Sequence, residues 1–266
     1  MKEVALQTAR QSKGHERQVL REYLQNYLLF LMQKTKLDDS LLFVGGTALR
    51  FLYRIRRYSE DLDFTAKPSW DAAQEKLFPH TLERELTRAG YESTTSLKTT
   101  KTVKRIKVGF SGLLYELGLS GRKEEKTTIH IEIDSNPPSG WNEERTIVNL
   151  HLPVLIKHYD LPSAFAGKLA AVLLRPYSKG RDIYDLFWFR SKWPGLTPNL
   201  TLLSNAVAQQ QPGLNPIRHD SWLSIVRNKV ESLDWISVVD DIAPFLEDQD
   251  DFVVFTRDAV LSLLIE

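Results

Sequence analysis

Between residues 16 and 37 apolar side chains recur three and four apart: Val19, Leu20, Tyr23, Leu24, Tyr27, Leu28 and Leu31. That spacing lines one face of a helix and predicts an amphipathic one. Leu41–Val44 is a short apolar run closed by Gly45-Gly46, the pattern of a strand. Residues 47–55 predict a helix with Leu49, Leu52 and Tyr53 inward. Arg56, Arg57, Tyr58 and Ser59 lead into residues 61–64, where Leu62 and Phe64 alternate with Asp61 and Asp63 at strand period. Residues 70–89 return to helical spacing and stop at Gly90. Val103–Phe110 and Thr127–Asp134 alternate as strands, and a third is expected near residues 113–119. In the run TTIHIEID, Ile129, Ile131 and Ile133 fall on one face and His130, Glu132 and Asp134 on the other.

After the loop Asn136-Pro137-Pro138-Ser139-Gly140 the character changes. Helical segments separated by Pro- and Gly-containing breaks are expected at 164–174, 183–190, 202–209, 222–233 and 252–264. The pattern predicts an α+β protein divided near residue 160, with a mixed α/β part over 1–160 and a helical part over 161–266. No internal repeat is present.

Composition narrows the partners. A hydrophobic content of 42% in 266 residues is enough for a real core, so a soluble globular protein is expected. A net charge of +1 excludes a polyelectrolyte, so nucleic acid would need a local basic patch. The absence of cysteine excludes disulfides, thiolate zinc sites and cysteine nucleophiles. The N-terminal residues lack the apolar core of a signal peptide. The longest apolar-rich stretch, residues 27–32, falls far short of the ~20 residues a membrane span needs. The expectation is a cytoplasmic protein with no membrane partner.

Asp61 and Asp63, two apart in a strand, face one volume. Two close carboxylates repel unless solvated or joined by a cation. Hard oxygen donors at this spacing suit Mg²⁺, with Glu132 or, as the alternative, Asp134 supplying a third from a neighbouring strand. A strand that ends in Gly45-Gly46-Thr47 and opens a helix presents free backbone N–H groups, a natural phosphate cradle. Ser59 and Arg57 stand close enough in sequence to reach the same phosphates. Lys168 lies alone among small and apolar residues in AFAGKLAAVLL. Locally it reads as a lysine whose stem lies along the surface, the other reading being an ammonium aimed at a phosphate. Asp182 has the position of a helix N-cap, whereas Asp185 could point into a cleft or into solvent.

Taken together, VGGTAL, RYSEDLDF, GKLAAVLLR and RDIYDL resemble, in order, the motifs of the AbiEii/AbiGii nucleotidyltransferase toxins, which include the MenT-type toxins. The resemblance implies a DNA polymerase β-like nucleotidyltransferase fold with a helical C-terminal domain. It implies transfer of a nucleotide from an NTP, with Mg²⁺, to an acceptor that in MenT-type relatives is the 3′ end of tRNA. Translation would then stop, and a cognate antitoxin would be encoded nearby. The functional positions it carries over are Ser59, Asp61, Lys168 and Asp185, with Asp63 as second metal ligand. The PYSKG loop lengthens the interval after Lys168, so Asp182 competes with Asp185 for the last position.

Two other outcomes are compatible with these motifs: nucleotide transfer to a protein side chain, and a non-catalytic nucleotide-binding module. The intact Asp61, Asp63 and Lys168 speak against the second. Lys98, Lys101, Lys104, Arg105 and Lys107 are expected to form a basic face for an RNA backbone, or else an edge strand guarded by lysines.

Overall fold

The alternation of Thr127–Asp134 becomes a strand near the middle of a seven-stranded sheet. The computed structural model describes residues 1–175, 177, 179–213, 216–248 and 250–265. Pro176 and Ser178 of the PYSKG loop therefore lie outside the described residues.

The strands are β1 (Leu41–Val44), β2 (Leu62–Ala66), β3 (Ser93–Thr99), β4 (Val103–Phe110), β5 (Thr127–Asp134), β6 (Glu143–Asn149) and β7 (Pro153–Tyr159). The helices among and before them are α1 (Lys2–Arg10), α2 (Glu16–Lys34), α3 (Gly45–Tyr53), α4 (Ala72–Arg88) and the single turn α5 (Leu113–Glu116). From Leu161 on the described elements are helical: α6 (Leu161–Leu174), α7 (Gly180–Lys192), α8 (Leu200–Gln210), α9 (Trp222–Glu231), α10 (Trp235–Ile242), a short 3₁₀ turn (Ala243–Phe245), α11 (Asp251–Val254) and α12 (Arg257–Ser262). None of the described helices is long and apolar enough to cross a membrane.

Two compact units result. One comprises Met1–Tyr53, Tyr58–Asn136 and Arg145–His158; the other comprises Arg54–Arg57, Pro137–Glu144 and the chain from Tyr159 on. A division at residue 160 assigns Arg54–Arg57 and Pro137–Glu144 to the first half, whereas they fold with the second.

The sheet order is β3-β4-β5-β2-β1-β7-β6. β1 is antiparallel to β2 and parallel to β7, β2 is parallel to β5, and β5-β4-β3 continue antiparallel. In the first unit, Phe43, Leu62, Phe64, Ile106, Val108, Ile129, Ile131 and Ile133 are buried on one face, in one core with Leu24, Tyr27 and Leu28 of α2 and Phe78, Leu82 and Leu86 of α4. Asp71 caps α4 through a capping box with Gln74, which explains its start one residue after the cap. The second unit is built on Phe165, stacked on Phe189 at 4.7 Å and edge-on to Trp222 at 5.8 Å. Gly180 opens α7 where a Cβ would stand 1.9 Å from the Val238 carbonyl oxygen, so only glycine fits beside α10.

Three expectations need correction. Residues 113–119 hold the helical turn α5 instead of a strand, entered through Gly112 at a φ of 79°. The helix expected over 252–264 breaks at Phe255-Thr256, where the Thr256 hydroxyl accepts from the Ala259 N–H and caps α12. Lys104 and Lys107 do not share a side of β4: Lys104 reaches Glu75 of α4 at 3.4 Å, on the Ile106 side, whereas Arg105 and Lys107 are exposed on the other.

Candidate functional site

In the first unit the parallel register of β2 and β5 sets Asp63 beside Glu132 and Thr65 beside Asp134. Two residues earlier, His130 Nδ1 stands 3.2 Å from Asp61 Oδ1. Alternation along both strands puts Asp61, Asp63, His130 and Glu132 on the face opposite Leu62, Phe64 and the three isoleucines. β4 then sets Arg105 beside Glu132 and Lys107 beside His130. The Arg105 Nε lies 2.7 Å from Glu132 Oε1. One row thus runs Asp63, Glu132, Arg105 and, on β3, Lys98.

α3 follows β1 with no intervening loop, and its first turn holds both aspartates. Gly45 has a φ of +80°, a conformation that L side chains rarely adopt. A Cβ there would stand 2.2 Å from Asp63 Oδ2. The Asp63 carboxylate therefore lies against the N-terminal end of α3, where the helix dipole favours negative charge. Thr47 is fully buried, and its hydroxyl donates to the backbone carbonyl of Asp61. It was expected to face phosphate; its hydroxyl is instead committed inside the protein. Gly46 is buried, and the Ser59 carbonyl accepts from Gln25 Nε2 at 3.1 Å. Asp134 sits one step further from Asp61, its Oδ1 accepting from the Asn136 N–H at 2.9 Å.

Among the described residues no three His, Cys, Asp or Glu side chains converge as a ready-made metal site. The donor set nevertheless fits Mg²⁺, which needs only one or two carboxylates when water and substrate phosphates complete the shell. Asp61 and Asp63 would be those carboxylates. Glu132 stands next in register but is turned to Arg105.

In the second unit a separate ionic cluster forms. Arg57 grips Asp185 with two bonds, Nε to Oδ1 at 2.6 Å and a terminal nitrogen to Oδ2 at 2.7 Å. Lys168 Nζ lies 2.8 Å from Asp185 Oδ2 and 3.4 Å from Asp182 Oδ1, and Arg175 closes the set on Asp182. Asp185 is 0% exposed and Arg57 2%. Burial would push the Asp185 carboxyl up, but the charges and hydrogen bonds of Arg57 and Lys168 outweigh it and hold it below the usual carboxylate range. Burial likewise works against the Arg57 cation, and Asp185 reverses the balance.

These positions revise the local readings. Lys168 does not lie along the surface; its side chain is 12% exposed and paired. Asp182 is in the first turn of α7 and salt-bridged, with Lys179 at the N-cap position. Asp185 points neither into a cleft nor into solvent. Arg57, expected to reach phosphate, is enclosed with Asp185. Sequence reasoning missed the pairing of His130 with Asp61 and of Arg105 with Glu132. The first could have been found by sliding TTIHIEID against EDLDF until the isoleucines met Leu62 and Phe64.

The fold has counterparts among solved structures. A candidate nucleotidyltransferase from H. pylori matches with a TM-score of 0.52 at 18% identity, over 90% of this chain and 89% of that one. JHP933 from Helicobacter pylori matches with a TM-score of 0.51 at 17% identity, over 91% and 88%. Identities this low establish a shared fold. Among curated proteins none matches the chain. The sequence itself goes further: the model of the nucleotidyl transferase AbiEii toxin family, of a type IV toxin–antitoxin system, matches residues 27–256. The chain belongs to that family.

Proposed function

We propose that this protein is the toxin of a toxin–antitoxin pair, and that it transfers a nucleoside monophosphate from an NTP to the 3′ end of tRNA. Aminoacylation, and with it translation, would be blocked, and a cognate antitoxin encoded nearby would counter this. The observation that carries the reading is the placement of Asp61 and Asp63 on one sheet face, against the glycine turn that opens α3. Family membership supports the reaction class, and the acceptor comes from the resemblance to MenT-type toxins.

In this reading the acceptor hydroxyl oxygen attacks the α-phosphorus, the bond to the bridging α–β oxygen breaks, and pyrophosphate departs while the hydroxyl proton passes to solvent. Asp61 and Asp63 hold Mg²⁺, and Glu132 is the third carboxylate that could join them by leaving Arg105. When bound, the ion draws charge from the phosphate oxygens and aligns the triphosphate for in-line displacement. Thr47 fixes the backbone of Asp61. Gly45 makes room for Asp63, and the N–H groups of the Gly45-Gly46 turn, with Ser59, bind phosphate oxygens. Lys168 and Asp185 enter through the resemblance; Arg57 acts as a positioning residue that orients Asp185 and, through it, Lys168.

The test is incubation of the protein and Mg²⁺ with each α-labelled NTP and total tRNA, followed by a denaturing gel. Labelled tRNA is expected. A labelled protein band with dark tRNA would move the acceptor to a protein side chain, and no label would overturn the reading.

A further inference from the structure

We propose that the exposed face of β3 and β4, carrying Thr94, Ser96, Lys98, Arg105 and Lys107, docks the double-helical stem of the acceptor nucleic acid by its phosphate backbone. The proposal rests on the nucleotidyl-transfer reading above.

The sheet register is the starting point. Lys98 pairs with Arg105, Ser96 with Lys107 and Thr94 with Gly109, so these side chains continue the same face that carries Asp61, Asp63, His130 and Glu132. At a strand spacing of ~4.8 Å, Arg105 and Lys107 stand roughly two strands, ~10 Å, from the carboxylates, and Lys98 one strand further. The face therefore grades from acidic at β2 to basic at β3.

Of the three cations, Arg105 is paired with Glu132, whereas Lys98 and Lys107 are left to solvent. Lys98 and Arg105 are directly opposite each other, and Glu132 offsets the charge of Arg105 alone, which leaves Lys98 without a counter-charge across the pair. Among the described residues neither Lys98 nor Lys107 makes an ion pair, and both are exposed. Guarding of an edge strand accounts for a lysine on β3. It does not account for Lys107, because β4 is an interior strand paired on both sides, and Arg105 there has Glu132 as its partner.

The character of the face selects the partner. It carries no Phe, Tyr, Trp or aliphatic anchor among Thr94, Ser96, Lys98, Arg105 and Lys107, whereas protein interfaces are built on such anchors. Single-stranded nucleic acid is held by stacking on aromatic side chains, which are likewise missing. Hydroxyls and cations along a sheet face suit the phosphates of a helix, bound without regard to sequence.

The experiment measures binding in the absence of NTP, so a failure of nucleotide transfer leaves its result readable. Fluorescence anisotropy follows a labelled RNA hairpin, and an unstructured oligouridine of equal length, across a NaCl series. The hairpin is expected to bind more tightly, and Lys98→Gln and Lys107→Gln are each expected to weaken it and lower the salt slope by about 1. Lys104→Gln, one residue from Arg105 but on the opposite face, is expected to leave affinity and slope unchanged. Equal losses for Lys104→Gln and Lys107→Gln, or tighter binding of oligouridine, would overturn the proposal. Competition by polyglutamate as effective as by unlabelled hairpin would give the face to an acidic protein and overturn it equally.

Discussion

Gly45 leaves the space that the Asp63 carboxylate occupies: a methyl group on Gly45 would stand 2.2 Å from Asp63 Oδ2. The glycine and the aspartate are one structural feature, although 18 residues of sequence position suggest two motifs. Gly45→Ala therefore meets both the backbone penalty of its positive φ, about 1–2 kcal/mol, and the Asp63 side chain. Gly45→Ala should lower the Tm and abolish transfer. Paired with Asp63→Gly it should cost clearly less stability than the sum of the single changes, and activity should stay absent. An additive double-mutant cycle would show that the two residues do not share the space.

Arg57 and Asp185 lie 128 residues apart in sequence and form a buried two-bond pair. Asp185→Asn leaves Arg57 and Lys168 facing a neutral group, and loss of one partner of such a pair costs about 3–5 kcal/mol. The pH dependence follows from the lowered Asp185 carboxyl. Its stabilisation is complete above the ordinary value of 3.8 and is lost as pH falls through the lower folded value. Urea denaturation at neutral pH should show the full gap between wild type and Asp185→Asn. The gap should shrink below pH 3.8. A gap that stays constant into strong acid would contradict the assignment.

The two-pronged geometry also separates arginine from lysine. Arg57→Lys keeps the charge and loses the fork. It should be more stable than Arg57→Ala yet remain well below wild type in kcat, since Asp185 and Lys168 lose their orientation. Wild-type turnover in Arg57→Lys would reduce Arg57 to a counter-charge.

Thr47 tests whether a buried hydroxyl supports the chemistry from behind. Thr47→Val preserves shape and removes the bond to the Asp61 carbonyl, which is worth about 1 kcal/mol. The expected result is a modest fall in Tm with a larger fall in kcat, and recovery of both in Thr47→Ser. Loss of NTP affinity with unchanged kcat would instead return Thr47 to the phosphate.

How much of this was legible in the chain depended on whether the signal was local. TTIHIEID and VKRIKVGF alternate over a full strand, and both strands stand at the expected residues. β3, with the sequence STTSLKT, has one large apolar residue and offers no alternation to read; it exists because β4 gives it hydrogen-bond partners. Asp61 and Asp63 could be placed on one face because the strand period is two. Their neighbours needed a second strand: Glu132 was expected beside them, but the approach of His130 to Asp61 depends on a parallel register that appears only when the two strands are matched to each other. Lys168 stood out as a charge in an apolar helix, yet its partners Asp185 and Asp182 belong to another helix. Lys104, expected on one basic face with Arg105 and Lys107, falls on the other side by strict alternation along β4, where it meets Glu75 of α4.

The central claim is that Asp61 and Asp63 hold the metal-bound triphosphate. The most direct measurement is the rate of label transfer from an α-labelled NTP to tRNA for wild type, Asp61→Ala and Asp63→Ala, each checked by circular dichroism and assayed with and without Mg²⁺. The account predicts Mg²⁺-dependent transfer in wild type and none in either variant, with all three folded. Transfer at the wild-type rate by a folded Asp61→Ala protein would contradict it.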